Sequence, residues 1–569
     1  MKKITSFALG LAFTATYAQN LTSYIPNSAD FVGRINSEQV LKQISEDHFN
    51  DSEIGKEFFK NISRAHEQAN TLSDFGMNFD NGMYMFSEMT DSINHFSFLM
   101  EIEDFDVFKT YWSNSLNKNF EYDNGVYSLN EREVTMLIDE DKVLFSFAEA
   151  DKDYFKNKPR FEKEMEEDES MYSVYALKRK YQSVWISDYA KKIYSKSTKS
   201  SITSKKGFKK SVNDKKAAAT FWIANYDEFI KSTLGKVYGK YYAMAGFDLS
   251  SLNTGFKDIS LKLNFNKNNI ELSSRVNADK ELKKIYKKVS GPKMDKDLWS
   301  VFDAENALMY MSVSMSTEGI LNEYPNLVDK MYADAFPDYR TEIDLGKAFF
   351  NILLDEESIG ELITGDAIFA ISDVTMKEEK YKSYDYDENY ELVEVEKTRQ
   401  EPKPDFMFLL GSEREDMLEK MLKLGSKYKL VNAENNIFSL KEELDIPFNF
   451  YFAVKSGALV VSTNLDNLEN MVSNKKQDLG KHKKAIVNST YRISLQSEKI
   501  IEKLKENGLE SQMRDYNDLI DIAGDISITS KRLSCKGLVT NLVIETKGNK
   551  ENSLILLFDL LNDKMFPTR

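Results

Sequence analysis

The residues of this 569-residue chain that could do chemistry are few and far apart. Its four histidines are His48, His66, His95 and His482. His66-Glu67 opens like the helical zinc signature, in which two histidines one turn apart hold the metal and the glutamate activates water. Position 70 is Asn, so the second ligand is missing. His95 stands at the mouth of a strand and reads as an ordinary core or surface residue. Cys535 is the single cysteine, which excludes an intrachain disulfide. A Cys–His nucleophile would need a histidine beside it, and the sequence offers no support for that. Cys535 reads as a small apolar residue in a strand.

Carboxylates are abundant, with 91 Asp and Glu, so chance pairs are inevitable. Asp139-Glu140-Asp141 reads as a hairpin turn and Glu164 to Glu169 as a solvated charge run. A glycosidase-like acid pair is permitted, but no pair stands out. Asp385, Asp387, Asn389, Glu391 and Glu396 fall at positions 1, 3, 5, 7 and 12 of a calcium loop. Position 6 is Tyr390, where that loop needs Gly for its sharp turn, so an acidic ribbon is the better reading. There is no Gly-x-Ser-x-Gly elbow, phosphate-cradling glycine loop or dinucleotide fingerprint. Trp112 and Trp222 sit on core-like helix and strand patterns, and Trp185 is the best candidate for an exposed aromatic. The sequence thus assigns no catalytic, cofactor-binding or metal-ligating residue and no cofactor, and it leans away from an enzyme.

The elements that would position a site are written twice. GMYMFSEMTD, HFSFLMEIEDFDVFKTYW, NGVYSL and KVLFSFAEADKDYF run from Gly82 to Phe155; GDAIFAISDVT, DFMFLLGSEREDMLEKML, NNIFSL and ALVVSTNLDNLENM run from Gly365 to Met471. Each passage reads strand, strand, helix, strand, strand, helix. The likeness extends to the openings Ser23–Ile44 and Leu298–Tyr324, to a helix before the paired strands (Ile54–Ser73; Leu345–Leu354), and to Ala218–Leu234 with Asn488–Leu504. The expected fold is α+β and internally duplicated: two related units, residues 19–295 and 296–569, each an antiparallel sheet covered by helices on one face.

Two insertions distinguish the halves. Lys191–Lys216 holds ten lysines among serines and reads as a flexible, solvated loop, with a basic tether as the alternative. Residues 377–404 alternate charge with Tyr and Val and read as a protruding β-ribbon.

Residues 1–18 have the basic start, short apolar stretch and small-residue end of a signal peptide. An uncleaved anchor is the alternative. No later apolar run reaches the 20 or so residues that a membrane span needs, and no Cys near the cleavage site offers a lipid anchor. The net charge of −15 opposes nucleic-acid and anionic-lipid binding. Export to the periplasm is expected, with outer-membrane association or secretion as variants.

The opening YIPNSADFVGRINSEQVLKQI (Tyr24 to Ile44), with weaker support from Gly76–Trp112, resembles large exported Bacteroidota proteins of a domain-of-unknown-function type. There a Pro-x-x-Ala turn precedes a strand and a helix. The resemblance implies an exported protein and no particular activity. Many members are lipoproteins, and this chain lacks the cysteine they use.

These readings converge on a non-enzymatic cell-envelope protein that binds or scaffolds another envelope component, with a ligand cleft expected near Lys287–Leu298. A hydrolase using a carboxylate pair and a carrier of an apolar ligand are the alternatives. Converging carboxylates of perturbed pKa would favour the hydrolase, a broad exposed apolar surface the binder, and an enclosed apolar cavity the carrier.

Overall fold

The computed structural model describes residues 21–62, 69–79, 81–90, 92–131, 133–156, 158–167, 173–195, 200–212, 214–231, 244, 251–332, 334–386, 390–440, 449–473, 479–509, 522–534, 537–548 and 552–566. The leader at 1–18, His66-Glu67, Asp387, Asn389 and Cys535 lie outside them. Helices and antiparallel strands are mixed along the chain, so the fold is α+β. It divides into two compact units that are each discontinuous in sequence. Unit 1 comprises residues 1–236, 257–267 and 550–569, and unit 2 comprises 237–256 and 268–549.

Unit 1 contains β1 (Phe31–Ile35), β2 (Met83–Met89), β3 (Ile93–Glu101), β4 (Glu121–Asp123), β5 (Val126–Glu131), β6 (Val134–Ile138), β7 (Lys142–Ala150), β8 (Ala219–Ile223) and β9 (Phe256–Phe265). They pair antiparallel in the order β9-β8-β1-β2-β3-β7-β6-β5-β4. Asn124 and Gly125 link β4 to β5 with positive φ of 51° and 85°. That two-residue turn matches strand twist, which is why Asn-Gly is a hairpin signal.

Unit 2 contains β10 (Asn269–Ala278), β11 (Met309–Ser314), β12 (Asp366–Tyr386), β13 (Leu392–Gly411), β14 (Val431–Glu434), β15 (Ile437–Leu440), β16 (Tyr451–Lys455), β17 (Ala458–Ser462), β18 (Ser489–Leu495), β19 (Ala523–Lys531) and β20 (Leu538–Thr546). Their order is β10-β20-β19-β18-β11-β12-β13-β17-β16-β15-β14, again antiparallel. From β19 to β14 this order corresponds strand for strand to that of unit 1. Asn435 and Asn436 make the turn equivalent to Asn124-Gly125, with φ of 51° and 64°.

Each unit has its own apolar core. In unit 1, Val32, Phe86, Leu99 and Leu144 of the strands meet Ala190 and Ile193 of the helix Val174–Tyr194. The Lys-rich stretch completes this core and is not a solvated loop. It carries the end of that helix, a short turn Ile202–Ser204 and the helix Lys206–Val212. Ile202, Phe208 and Val212 are fully buried. Three well-spaced apolar residues anchor the segment while lysine stems let the charges reach water.

In unit 2, Phe302, Tyr310, Ile368, Leu409, Val460, Leu468 and Ile486 form the core. Lys287–Leu298, expected at a cleft, falls within this unit, with Met294 and Leu298 in the core. The ribbon is the long arm of the β12–β13 hairpin, in register from Lys377↔Glu401 to Tyr386↔Leu392. Charges pair across it: Lys380 with Glu396 at 2.8 Å and Lys397 with Asp385 at 3.1 Å. Two positions of the calcium-like pattern therefore neutralise ribbon lysines.

The last described helix, Ser553–Met565, packs in unit 1. Asp559 meets His48 at 2.8 Å, and the Asn562 side chain accepts the Ile54 backbone N–H at 3.1 Å.

Candidate binding surface

Two helices of unit 2 hold apolar side chains out to solvent. The first, Arg340–Leu353, buries no residue. Its inner face rests on Phe350, whose ring lies 5.8 Å from that of Tyr324. Lys347 and Arg340 both pair with Asp329, at 3.3 and 3.1 Å. Leu345, Phe349, Ile352 and Leu353 follow the i, i+4, i+7, i+8 spacing of one helical face. They are between 53% and 77% exposed.

The second helix, Glu415–Lys427, starts with two acidic residues that complement its dipole and ends on a lysine. Asp416–Lys420 at 3.0 Å and Glu419–Lys423 at 2.9 Å form its polar stripe at i, i+4 spacing. Leu418 turns inward and is buried. Met417, Met421, Leu424 and Tyr428 form a neighbouring apolar stripe, between 42% and 66% exposed. Clustered exposed apolar groups at helical spacing are the mark of an interaction surface, and methionines suit one that adapts to its partner. Sequence reading missed both stripes. The periodicity was visible, but it marks only which residues share a face, and a core face and a docking face look alike.

The groups able to move protons lie elsewhere. In unit 1, His95 on β3 stacks on Tyr189 with ring centroids 3.8 Å apart. Burial, helped by Lys192, pushes the imidazole down to about 4. The Tyr189 hydroxyl donates to Glu88 at 3.1 Å, and Ser28 donates to the same oxygen at 2.9 Å. Asp30 accepts the Met89 backbone N–H at 2.8 Å. Burial raises the Asp30 carboxyl against that bond, with Glu88 adding repulsion. Burial likewise lowers Lys205, and Asp30 opposes it. The common direction is toward neutral forms, as drying demands.

In unit 2 the buried histidine is His482. Its Nδ1 lies 3.0 Å from the Tyr310 hydroxyl, which accepts from Arg492 Nε at 2.8 Å. Arg492 also donates to Thr529 at 2.6 Å. Tyr310 is fully buried, so this chain ties strand to helix and offers nothing to a substrate. His48 is used in the helix pairing described above. Trp185 is not free for a ligand either, since it stacks on Phe155 at 5.7 Å within a partly buried aromatic cluster.

Two cavities of unit 2 are charged. One of about 660 Å³ is lined by Asp297, Glu413, Glu415, Asp416 and the Ser456-Gly457 turn. Arg414 and Lys420 hold the Asp416 carboxyl down to about 2, so it is an ion-pair partner and not an acid catalyst. The other, of about 440 Å³, is lined by residues including Glu281, Glu323, Lys330 and Arg340. There Lys288 lowers the Glu323 carboxyl. Among the described residues no cluster of His, Cys, Asp or Glu is arranged to hold a metal ion, and no helix is long and apolar enough to cross a membrane.

No family model matches the chain, and no curated protein matches it. Similar solved structures include crystal form IV of TP0453, 12% identical over 45% of this chain and 80% of that one, with a TM-score of 0.22. Crystal form III of TP0453 is 11% identical over 49% of this chain and 90% of that one, with a TM-score of 0.19. At those scores the likeness carries no argument about fold or function.

Proposed function

We propose that this chain is an exported cell-envelope protein, built by internal duplication, that binds or scaffolds another envelope component through the helical face of its second half. The single observation that supports binding most strongly is the pair of exposed apolar stripes on Arg340–Leu353 and Glu415–Lys427. The matching strand orders of the two units support the duplication. Charged linings in both cavities speak against an apolar-ligand carrier.

The test is capture from envelope extracts by the tagged protein and by a Phe349→Ser/Met421→Ser variant. Burying one such side chain contributes about 1.5–3 kcal/mol, so losing two should weaken capture by at least about tenfold. A partner recovered by the parent and lost by the variant is the expected result. Equal recovery by both would remove the stripes from the binding face.

A further inference from the structure

We propose that the helix Arg340–Leu353 is a lid that closes onto the helix Glu415–Lys427, so that each apolar stripe becomes the cover of the other. The inference rests on the duplication reading and takes unit 1 as its guide. There the helix Glu53–Ile62, between β1 and β2, and the helix Phe105–Leu116, between β3 and β4, share one cluster. Phe59 stacks on Phe75 at 6.1 Å, and Phe75 meets Tyr111 edge-on at 5.0 Å. Leu72 and Ala69 complete it, all buried.

Unit 2 places helices at the same two points of its strand order. Arg340–Leu353 lies between β11 and β12, and Glu415–Lys427 between β13 and β14. The side chains that would form the equivalent cluster are exposed to water instead. The stripes are matched in length, since helices of 14 and 13 residues each run about 20 Å at 1.5 Å per residue.

The connections suit a pivot. Leu354 and Asp355 leave helical geometry (φ −104°, ψ 132° and φ −98°, ψ 91°), and Phe336 does so at the other end (φ −125°, ψ 66°). The following helix, Glu356–Leu362, is already fixed beside the target. The Glu361 carbonyl accepts the Glu413 N–H at 2.8 Å, and its carboxylate pairs with Arg414 at 3.4 Å. The open position is held by the Asp329 pairs of Arg340 and Lys347 and by Phe350 against the half-exposed Tyr324. Solvated pairs of that kind are weak beside apolar burial. Closing would hide the proposed binding face, so a partner and the lid would compete for the same stripe.

The test uses the full mature chain with Cys535→Ser, which removes its single cysteine. Phe349→Cys and Met421→Cys are then introduced near the middle of each stripe, so the pair reports closure in either orientation. Mild oxidation with diamide should give an intramolecular disulfide, seen as a monomer of faster migration and confirmed by peptide mass. In a single-cysteine Met421→Cys protein, adding Phe349→Asp should speed maleimide labelling several-fold, because a charge cannot enter the closed stripe. Failure of the disulfide to form, or a labelling rate indifferent to Phe349→Asp, would overturn the lid. Capture from envelope extracts separates this from the binding reading: a lid that fails while capture still needs the stripes leaves the binder standing. A disulfide that forms while capture ignores the stripes does the reverse.

Discussion

At the scale of single residues, the chain's perturbed groups are signs of burial and carry testable consequences. His95, 6% exposed, takes up a proton only near pH 4 in the folded protein, whereas an unfolded imidazole does so near 6.5. Between those values the unfolded chain binds more protons, so stability falls as pH drops from about 6.5 to 4, by at most about 3 kcal/mol from this group. Urea midpoints at pH 7 and 4.5 should show that fall in the parent and a smaller one in His95→Phe, which keeps the stack on Tyr189. An equal fall in both would assign the effect to other groups. Arg532 makes a second residue-scale case: it donates to the carbonyls of Ser290 and Gly291 and to the Ser314 hydroxyl near the buried Asp366, whose carboxyl burial raises. Arg532→Met should lower stability by about 3 kcal/mol, read as a calorimetric shift. Neither role was legible in the sequence. The Tyr189 that covers His95 lies 94 positions away, and spacing says nothing about approaches over that distance.

At the scale of elements, local pattern was the better guide. The strand runs and the Asn124-Gly125 and Asn435-Asn436 turns follow from side-chain alternation and positive-φ preference, and the ribbon from alternating charge. The lysine-rich segment was misread because its composition resembles a solvated loop while Ile202, Phe208 and Val212 decide its fate. The contrast between the two units gives an element-scale prediction. Phe75→Ala opens a cavity in a closed aromatic cluster and should cost about 3–4 kcal/mol. Phe349→Ala, on a stripe that packs only when the lid closes, should cost much less, about 1 kcal/mol, the share that a several-fold preference for the closed form adds. Denaturant titration of both variants checks the pair, and a loss at Phe349 as large as that at Phe75 would mean that the stripe is permanently packed and does not open.

At the scale of the whole molecule, the α+β class was legible, because the mixture of helices and antiparallel strands follows from the local periodicity of each element. The boundaries of the compact units were not, because a linear reading cannot tell that Ser553–Met565 belongs with residues near the beginning. That helix holds unit 1 through Phe558 on Phe49, Asp559 on His48 and Asn562 on the Ile54 backbone. Removing residues 552–566 should lower the melting transition of unit 1 and leave that of unit 2 in place, as limited proteolysis followed by mass mapping would show. Loss of both transitions together would mean that the units unfold as one.

The position of the Ser553–Met565 helix also sets an order of events during synthesis. Residues 268–549 emerge as one continuous stretch and hold most of unit 2, so that unit can assemble while translation continues. Unit 1 begins to emerge first, yet His48, Phe49 and Ile54 meet their partners only when Ser553–Met565 has been made, several hundred residues later. Such a long wait between partners is the kinetic penalty of distant contacts. The half that is translated earliest is therefore the last to receive all of its partners.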